Sequence, residues 1–439
     1  MKKKHIFIAI ILLAAALRLY KIGVIPYGYN WDETSINYNA WGISVWYRDE
    51  WAQKLPLAFK SFGDYKAPLM FYLLAAPFKL FGFYEPLIRI YSAISGVIVV
   101  IVTYFLSKEI FPKKSWAPEL SAFLVAISPW AINFSRVGFE ANLGLALVSV
   151  ATLFLFKGIK KSNFWYLSSL FFALSIYAYH STKIFVPIFL LCFVFIYKKQ
   201  IFKNIKKSIL AILFFSILIS PIIYVTVFGS GFERGMTMIF FDNQHKLQPF
   251  LAIAKEFILN IKNQLSLDFL IKGKDGVGLR HLVPGFGIVY AIELPFLIVG
   301  FIKTAFSKKL KKRILSFWLV VGMLPAVLSH QTPHAVRSLL SMPALQIITA
   351  SGFFFVVKKI QDKKISKYFI TTTLLILMML FIRYTHTYYT SYAKKSALSF
   401  QYGYKQALLS ARERGKSKEK IIVTDKYGQP YIYVLLYNK

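Results

Sequence analysis

Residues 87–114 read LIRIYSAISGVIVVIVTYFLSKEIFPKK. From Ile90 to Ser107 no charge interrupts the run, and Lys108, Lys113 and Lys114 close it at one end. About 20 mostly apolar residues let a helix cross the hydrocarbon layer, and a helix satisfies its own backbone polar groups there. The stretch is therefore expected to span a membrane as a helix, with its basic end in the cytoplasm.

Working outward, ten more stretches qualify or nearly do: about 5–20, 117–133, 141–156, 163–179, 183–197, 208–228, 285–302, 314–329, 338–357 and 368–384. The short alternating segments of a membrane barrel are not visible. Basic residues cluster in alternate connections, at Lys2–Lys4, 108–114, 157–161, 198–207, 303–313 and 358–367. Those six segments hold 25 lysines and arginines and almost no acid beyond Glu109, Glu119 and Asp362. Eleven spans place all six on one side. The expected protein is a multi-pass plasma-membrane protein with a cytoplasmic amino terminus and an external carboxyl terminus. A cleaved leader over residues 1–16 is the alternative to a retained first helix, and either leaves the next loop outside.

Composition agrees. Of 439 residues, 56% are hydrophobic and only 17% charged, which excludes an ordinary soluble enzyme and a disordered chain. Cys192 is the single cysteine, so no internal disulfide forms. The net charge of +35 reads as topology and attraction to an anionic inner leaflet, not as a nucleic-acid footprint.

Sixteen of the nineteen acidic residues then lie outside or at the edge. Three external regions exceed a turn. The loop 21–86 is rich in Trp and Tyr and suits short interfacial helices. The loop 229–284 carries Glu233, Arg234, Asp242, His245, Asp268, Asp275, Arg280 and His281. The segment 385–439 becomes polar, with 421–423 and 431–434 reading as two short strands.

Asp32 and Glu33 follow the first helix by about a dozen residues. A carboxylate there can take a proton from an acceptor hydroxyl. The plainer reading is that Asp32 caps a helix beginning at Glu33. Asp64, Tyr65 and Lys66 add an acid and a cation to the loop; Lys66 either holds a phosphate or faces water from a turn. Arg136 and Glu140 flank Gly138, while Arg280, His281, His334 and Arg337 stand elsewhere on the same side. Single arginines near helix ends normally snorkel. Four such sites on one side point instead to a shared anionic ligand. Six of seven histidines, His180 among them, also lie on this side. None has metal-ligand spacing, since His330 and His334 are separated by Pro333, so a phosphate-bonding or structural role outranks zinc. Asp32, Glu33 and Asp64 would permit a divalent ion, and no metal ligand is assigned.

Trp31-Asp32-Glu33 after a first span ending Arg18-Leu19-Tyr20 resembles the GT-C superfamily of membrane glycosyltransferases. It is most similar to bacterial relatives of the protein O-mannosyltransferases and the aminoarabinose transferase. Tyr65–Leu69, Glu85–Arg89, Ser135–Gly138, Tyr177–His180, Arg337 and Met342-Pro343 match in order and sidedness over about residues 5–360. The resemblance implies an all-α GT-C-like bundle of about eleven transmembrane helices over 1–384, with the active site in the loop 21–86. It implies an inverting transferase that takes sugar from a polyprenyl-phosphate donor on the external face. Asp32, with Glu33, would be catalytic; Lys66, Arg136 and Arg337 would hold the donor phosphate. The acceptor would be a hydroxyl on protein, lipid or glycan. An oligosaccharide ligase or a flippase of lipid-linked saccharide is the alternative. Many relatives carry two prolines after this lysine, where Ala67-Pro68 stands here. Relatives also often continue beyond this chain's end into a longer soluble domain, so truncation of the segment 385–439 stays open.

Overall fold

The structure is a computed structural model that describes residues 3–229, 242–243, 246–247, 249–417 and 420–439. Glu233, Arg234 and His245 lie outside the described residues.

Helix α1 (Lys3–Leu19) carries its basic residues at one end and buried Arg18 at the other. After an irregular stretch comes α2 (Trp31–Trp46), whose start differs from the sequence expectation. Asn30, not Asp32, is the cap: its Oδ1 accepts from the amides of Asp32 and Glu33 at 2.9 and 3.1 Å. Glu33 accepts from the Asn30 amide in return, which completes a capping box. Asp32 is thus spared from capping, and its carboxylate turns to Lys66 instead. Tyr47, with φ +59°, ends the helix.

The expected turn around Lys66 is a small hairpin. Strands β1 (Phe59–Ser61) and β2 (Asp64–Lys66) pair antiparallel across Phe62-Gly63, both at positive φ, which suits a two-residue hairpin loop. Phe59 stacks on Phe71 with centroids 3.9 Å apart, fastening the hairpin to α3 (Leu69–Phe81). A 2.7 Å hydrogen bond between the Ser35 and Ser61 hydroxyls fastens it to α2. The hairpin therefore returns Lys66 to the start of α2.

The remaining apolar stretches fall on helix, except that the span expected over 285–302 is irregular through 290 and becomes helical only after a short turn at Ala291–Glu293. In order these are α4 (Leu87–Ile110), α5 (Ala117–Ile127) with α6 (Pro129–Arg136), α7 (Glu140–Gly158), α8 (Phe164–Ala178), α9 (His180–Ile196) and α10 (Ile205–Phe228). After the amphipathic α11 (Phe250–Gln264) come α12 (Leu294–Ala305), α13 (Leu310–Val327), α14 (Met342–Lys359) and α15 (Lys363–Thr387). Five of the described helical segments are long and apolar enough to cross a membrane: α4, α7, α10, α14 with the turn before it, and α15 running on to Lys395. The single span expected over 117–133 is two helices. Pro129 has no N–H to donate, and Ser128 Oγ caps the new helix by accepting from Ala131 N.

The bundle core runs through α4, α5, α7, α8, α12 and α14, with Trp130 and Trp318 wholly buried. The C-terminal segment holds α16 (Tyr404–Arg414) and α17 (Pro430–Tyr437); α17 takes the place of the strand expected over 431–434, and 421–423, the other expected strand, is irregular. Ile432, Tyr433 and Leu436 recur at helical spacing and bury against α2 and α16, so tertiary contact overrides the β-propensity of Tyr, Ile and Val.

Candidate active site

The first turn of α2 presents Asp32 and Glu33 in different directions, because successive side chains on a helix point about 100° apart. Asp32 keeps 23% of its side chain exposed. Its Oδ1 lies 2.5 Å from Lys66 Nζ, and its Oδ2 lies 3.7 Å from Arg280 Nη1. Arg280 in turn stacks over the Trp31 ring at 4.6 Å. An acid from α2, a lysine from the hairpin and an arginine from the loop before α12 thus converge on one largely buried but solvent-touching point. Asp64 and Tyr65 sit half-buried on the strand that delivers Lys66.

Glu33 has the opposite surroundings, with no exposed side-chain surface. Its Oε1 accepts from Arg89 Nε at 2.7 Å and from the Gly138 amide at 2.8 Å. Its Oε2 accepts from Arg89 Nη2 and from Asn30. Arg89, the first-turn arginine of α4, also donates to the carbonyls of Pro26 and Gly28 and lies 4.0 Å from the Tyr29 ring. The expected catalytic part for Glu33 is corrected here. It is a sealed structural anion that pins α2 to α4, out of reach of any hydroxyl.

Arg136 is corrected likewise. It is fully buried and donates to the carbonyls of Leu17, Arg18 and Ile25 at 2.9–3.2 Å. These carbonyls belong to or follow the last turn of α1, which needs donors and favours a cation. Arg18 repays the contact by donating to Val125 and Ala126 at the end of α5 and to Ser135 on α6. Neither arginine can reach a phosphate. Glu140 is buried in the first turn of α7, where the helix dipole suits a carboxylate, and His180 opens α9 half-buried.

A second cluster adjoins Arg280. His281 Nδ1 lies 3.3 Å from Asp275 Oδ1, and the His281 and His334 rings lie 5.0 Å apart. Asp275, His281 and His334 offer ligand atoms within 4.8 Å of one another. The other Asp275 oxygen accepts from Ala335 N at 2.6 Å, so the carboxylate also joins two loops. Burial, with His281, Arg337 and Arg280 nearby, holds the His334 pKa well below the usual imidazole value. His334 is neutral, and the half-buried Arg337 stands beside it.

The family model for dolichyl-phosphate-mannose-protein mannosyltransferase matches residues 65–225. Comparison with curated proteins gives no match. Among solved structures, the chain is similar to the Archaeoglobus fulgidus oligosaccharyltransferase AglB in complex with an inhibitory peptide and a dolichol-phosphate. That match has 14% identity and a TM-score of 0.56, and covers 93% of this chain and 58% of that one. The same enzyme with Zn and sulfate matches at 14% identity and TM-score 0.56, covering 94% and 55%. ArnT from Cupriavidus metallidurans bound to undecaprenyl phosphate matches at 11% identity and TM-score 0.55, covering 99% and 74%. The chain has the GT-C fold.

Less than two thirds of the AglB chain is spanned. Within the GT-C frame the family match begins beside Lys66 and ends in α10, so Asp32 and the His281–His334 cluster lie outside it. Two residues of the site went unread in the sequence. Arg89 gave no sign that it would complete Glu33. Glu50, half-buried in the first loop, has its carboxyl pushed up to about 7 by burial, with nearby Asp49 raising it and Asn39 and Lys66 opposing.

Proposed function

We propose that the protein is an inverting membrane glycosyltransferase that moves a sugar from a polyprenyl-phosphate donor to an acceptor hydroxyl on the external face of the plasma membrane. The observation that carries this reading is the meeting of Asp32, Lys66 and Arg280 at one largely buried but solvent-touching point on the loop face. The GT-C fold and the polyprenyl phosphates named for AglB and ArnT support it.

Without substrate, Asp32 is neutralised by the cations it touches. A donor phosphate arriving at Lys66 and Arg280 draws them toward its own charge, with Arg337 behind them. Asp32 is then free to accept a proton from the acceptor hydroxyl on the side away from the phosphate. As the sugar–phosphate bond breaks, the growing charge is met by cations already in place, which is electrostatic stabilisation of the transition state. The departing phosphate needs no proton.

Lys66→Met and Arg280→Gln are each expected to raise the donor KM about tenfold or more, the scale of a lost charged hydrogen bond. Reconstituted protein and a panel of polyprenyl-phosphate monosaccharides provide the assay. Unchanged donor KM in both variants would overturn the phosphate site. Turnover of lipid-linked oligosaccharides alone would favour the ligase.

Asp275, His281 and His334 also suit a divalent ion of the zinc class, since one carboxylate and two imidazoles, one of them held neutral, are its usual donors. Such an ion would add fixed positive charge near the donor phosphate. Purified protein is expected to contain about one such ion per chain, and His281→Ala with His334→Ala to lose it and to melt at lower temperature. Metal-free protein whose melting point ignores chelator would reject the ion.

A further inference from the structure

Beside the first turn of α2, a groove of about 740 Å³ separates the first loop from the C-terminal segment. Its size is that of a small-ligand site, for which about 300–1,000 Å³ is usual. Tyr27, Tyr84 and Glu85 form one wall; Gln401, Tyr402 and Gln406 form the other. Neither the donor site nor the metal cluster uses any of them.

The walls are fixed to each other. Gly28 sits at φ +80°, and a Cβ there would come within 2.4 Å of Phe400 O and 2.8 Å of Tyr402 N, so the two segments are pressed together at a point only glycine tolerates. Tyr433 donates its hydroxyl to Tyr29 O at 2.8 Å. Lys405 Nζ and the Tyr437 hydroxyl hold the two Glu85 oxygens at 2.7 and 2.5 Å.

The chemistry of the walls narrows the ligand. Tyr84 and Tyr402, 57% and 54% exposed, line the groove from opposite walls and offer ring surface to a ligand between them. Flat ring faces fit the C–H face of a pyranose, and the exposed amide of Gln406 matches its hydroxyls. An isoprenoid chain has no use for Glu85 and Lys405. A phosphate would want several converging unpaired cations, whereas of the two lysines lining the groove Lys405 is spent on Glu85. The inner end of the groove lies at the start of α2: Tyr29, which lines it, immediately precedes the Asn30 cap and stands three residues before Asp32.

We propose that this groove binds a neutral glycan, which it presents as acceptor to Asp32. The acceptor role rests on the transferase reading; glycan binding does not. The test is saturation-transfer NMR on the full chain in nanodiscs without donor, using methyl glycosides, neutral oligosaccharides, a lipid-linked neutral glycan and a Ser/Thr peptide. Ring protons of at least one glycan should receive saturation. Kd should weaken at least about fivefold in Tyr84→Ala and in Tyr402→Ala, the scale of one lost aromatic contact. The exposed Gln406→Ala replaces either variant if its melting point falls. Free and lipid-linked arms tell which carrier the glycan has. No signal from any glycan, equal affinity in all variants, or signal from the peptide alone would overturn the proposal. Glycan binding without turnover of any donor would sink the transferase and leave the groove standing; turnover without glycan binding would sink only the groove.

Discussion

Asp32→Asn lowers kcat for sugar transfer by about 10²–10⁴-fold, the usual worth of a positioned general base. Asparagine keeps the shape of the side chain, and the Asn30 cap of α2 does not involve the Asp32 carboxylate. The protein should therefore fold, insert and elute as wild type does. Donor KM should stay level or fall, because Lys66 no longer has to leave a carboxylate 2.5 Å away to meet the phosphate. Steady-state kinetics in liposomes, with acceptor saturating, separate the two parameters. Wild-type kcat in the variant would remove Asp32 from the reaction.

Arg89→Ala acts on the fold instead. It leaves the Glu33 carboxylate buried with its main partner gone, and breaking such a pair costs about 3–5 kcal/mol. The carbonyls of Pro26 and Gly28 lose a donor in the same step. Most of the protein should aggregate or fail to extract as a single species in detergent, as size-exclusion profiles after heating would show. Glu33→Gln with Arg89→Met should recover part of the loss, because no charge is then stranded. A single Arg89→Ala that melts with the wild type would mean the pair does not hold α2 in place.

Sequence reading succeeded where the physics is summed over many residues. Apart from the irregular 285–290, apolar runs of helix length became helices, with a break at Pro129 that only local cap chemistry decides. It failed where one contact decides. Asn30 outcompetes Asp32 as cap because its amide sits at the position whose Oδ1 reaches both following amides. Three-residue strands such as β1 and β2 carry too little pattern to see, and α17 took a β-rich run because α2 offered it an apolar face. Glu33 and Arg136 were read as working groups since burial is invisible in a single sequence. Asp32 and Lys66 were legible as separate candidates in one loop; Arg280 was found among several arginines, and Arg89 only as part of a matching stretch, without its role.

The reciprocal arginines have a mechanical consequence. Arg136 closes the end of α1 while Arg18 closes the end of α5, and Glu33 with Arg89 adds α2 and α4 to the same block. A region so cross-tied opens only with the whole bundle. Asp32 thus stands on rigid ground, with Lys66 brought to it on a hairpin fastened to α2 and α3 and Arg280 on the loop before α12. Under the proposed reaction the carboxylate would need no rearrangement to receive the hydroxyl, because folding has already set its place.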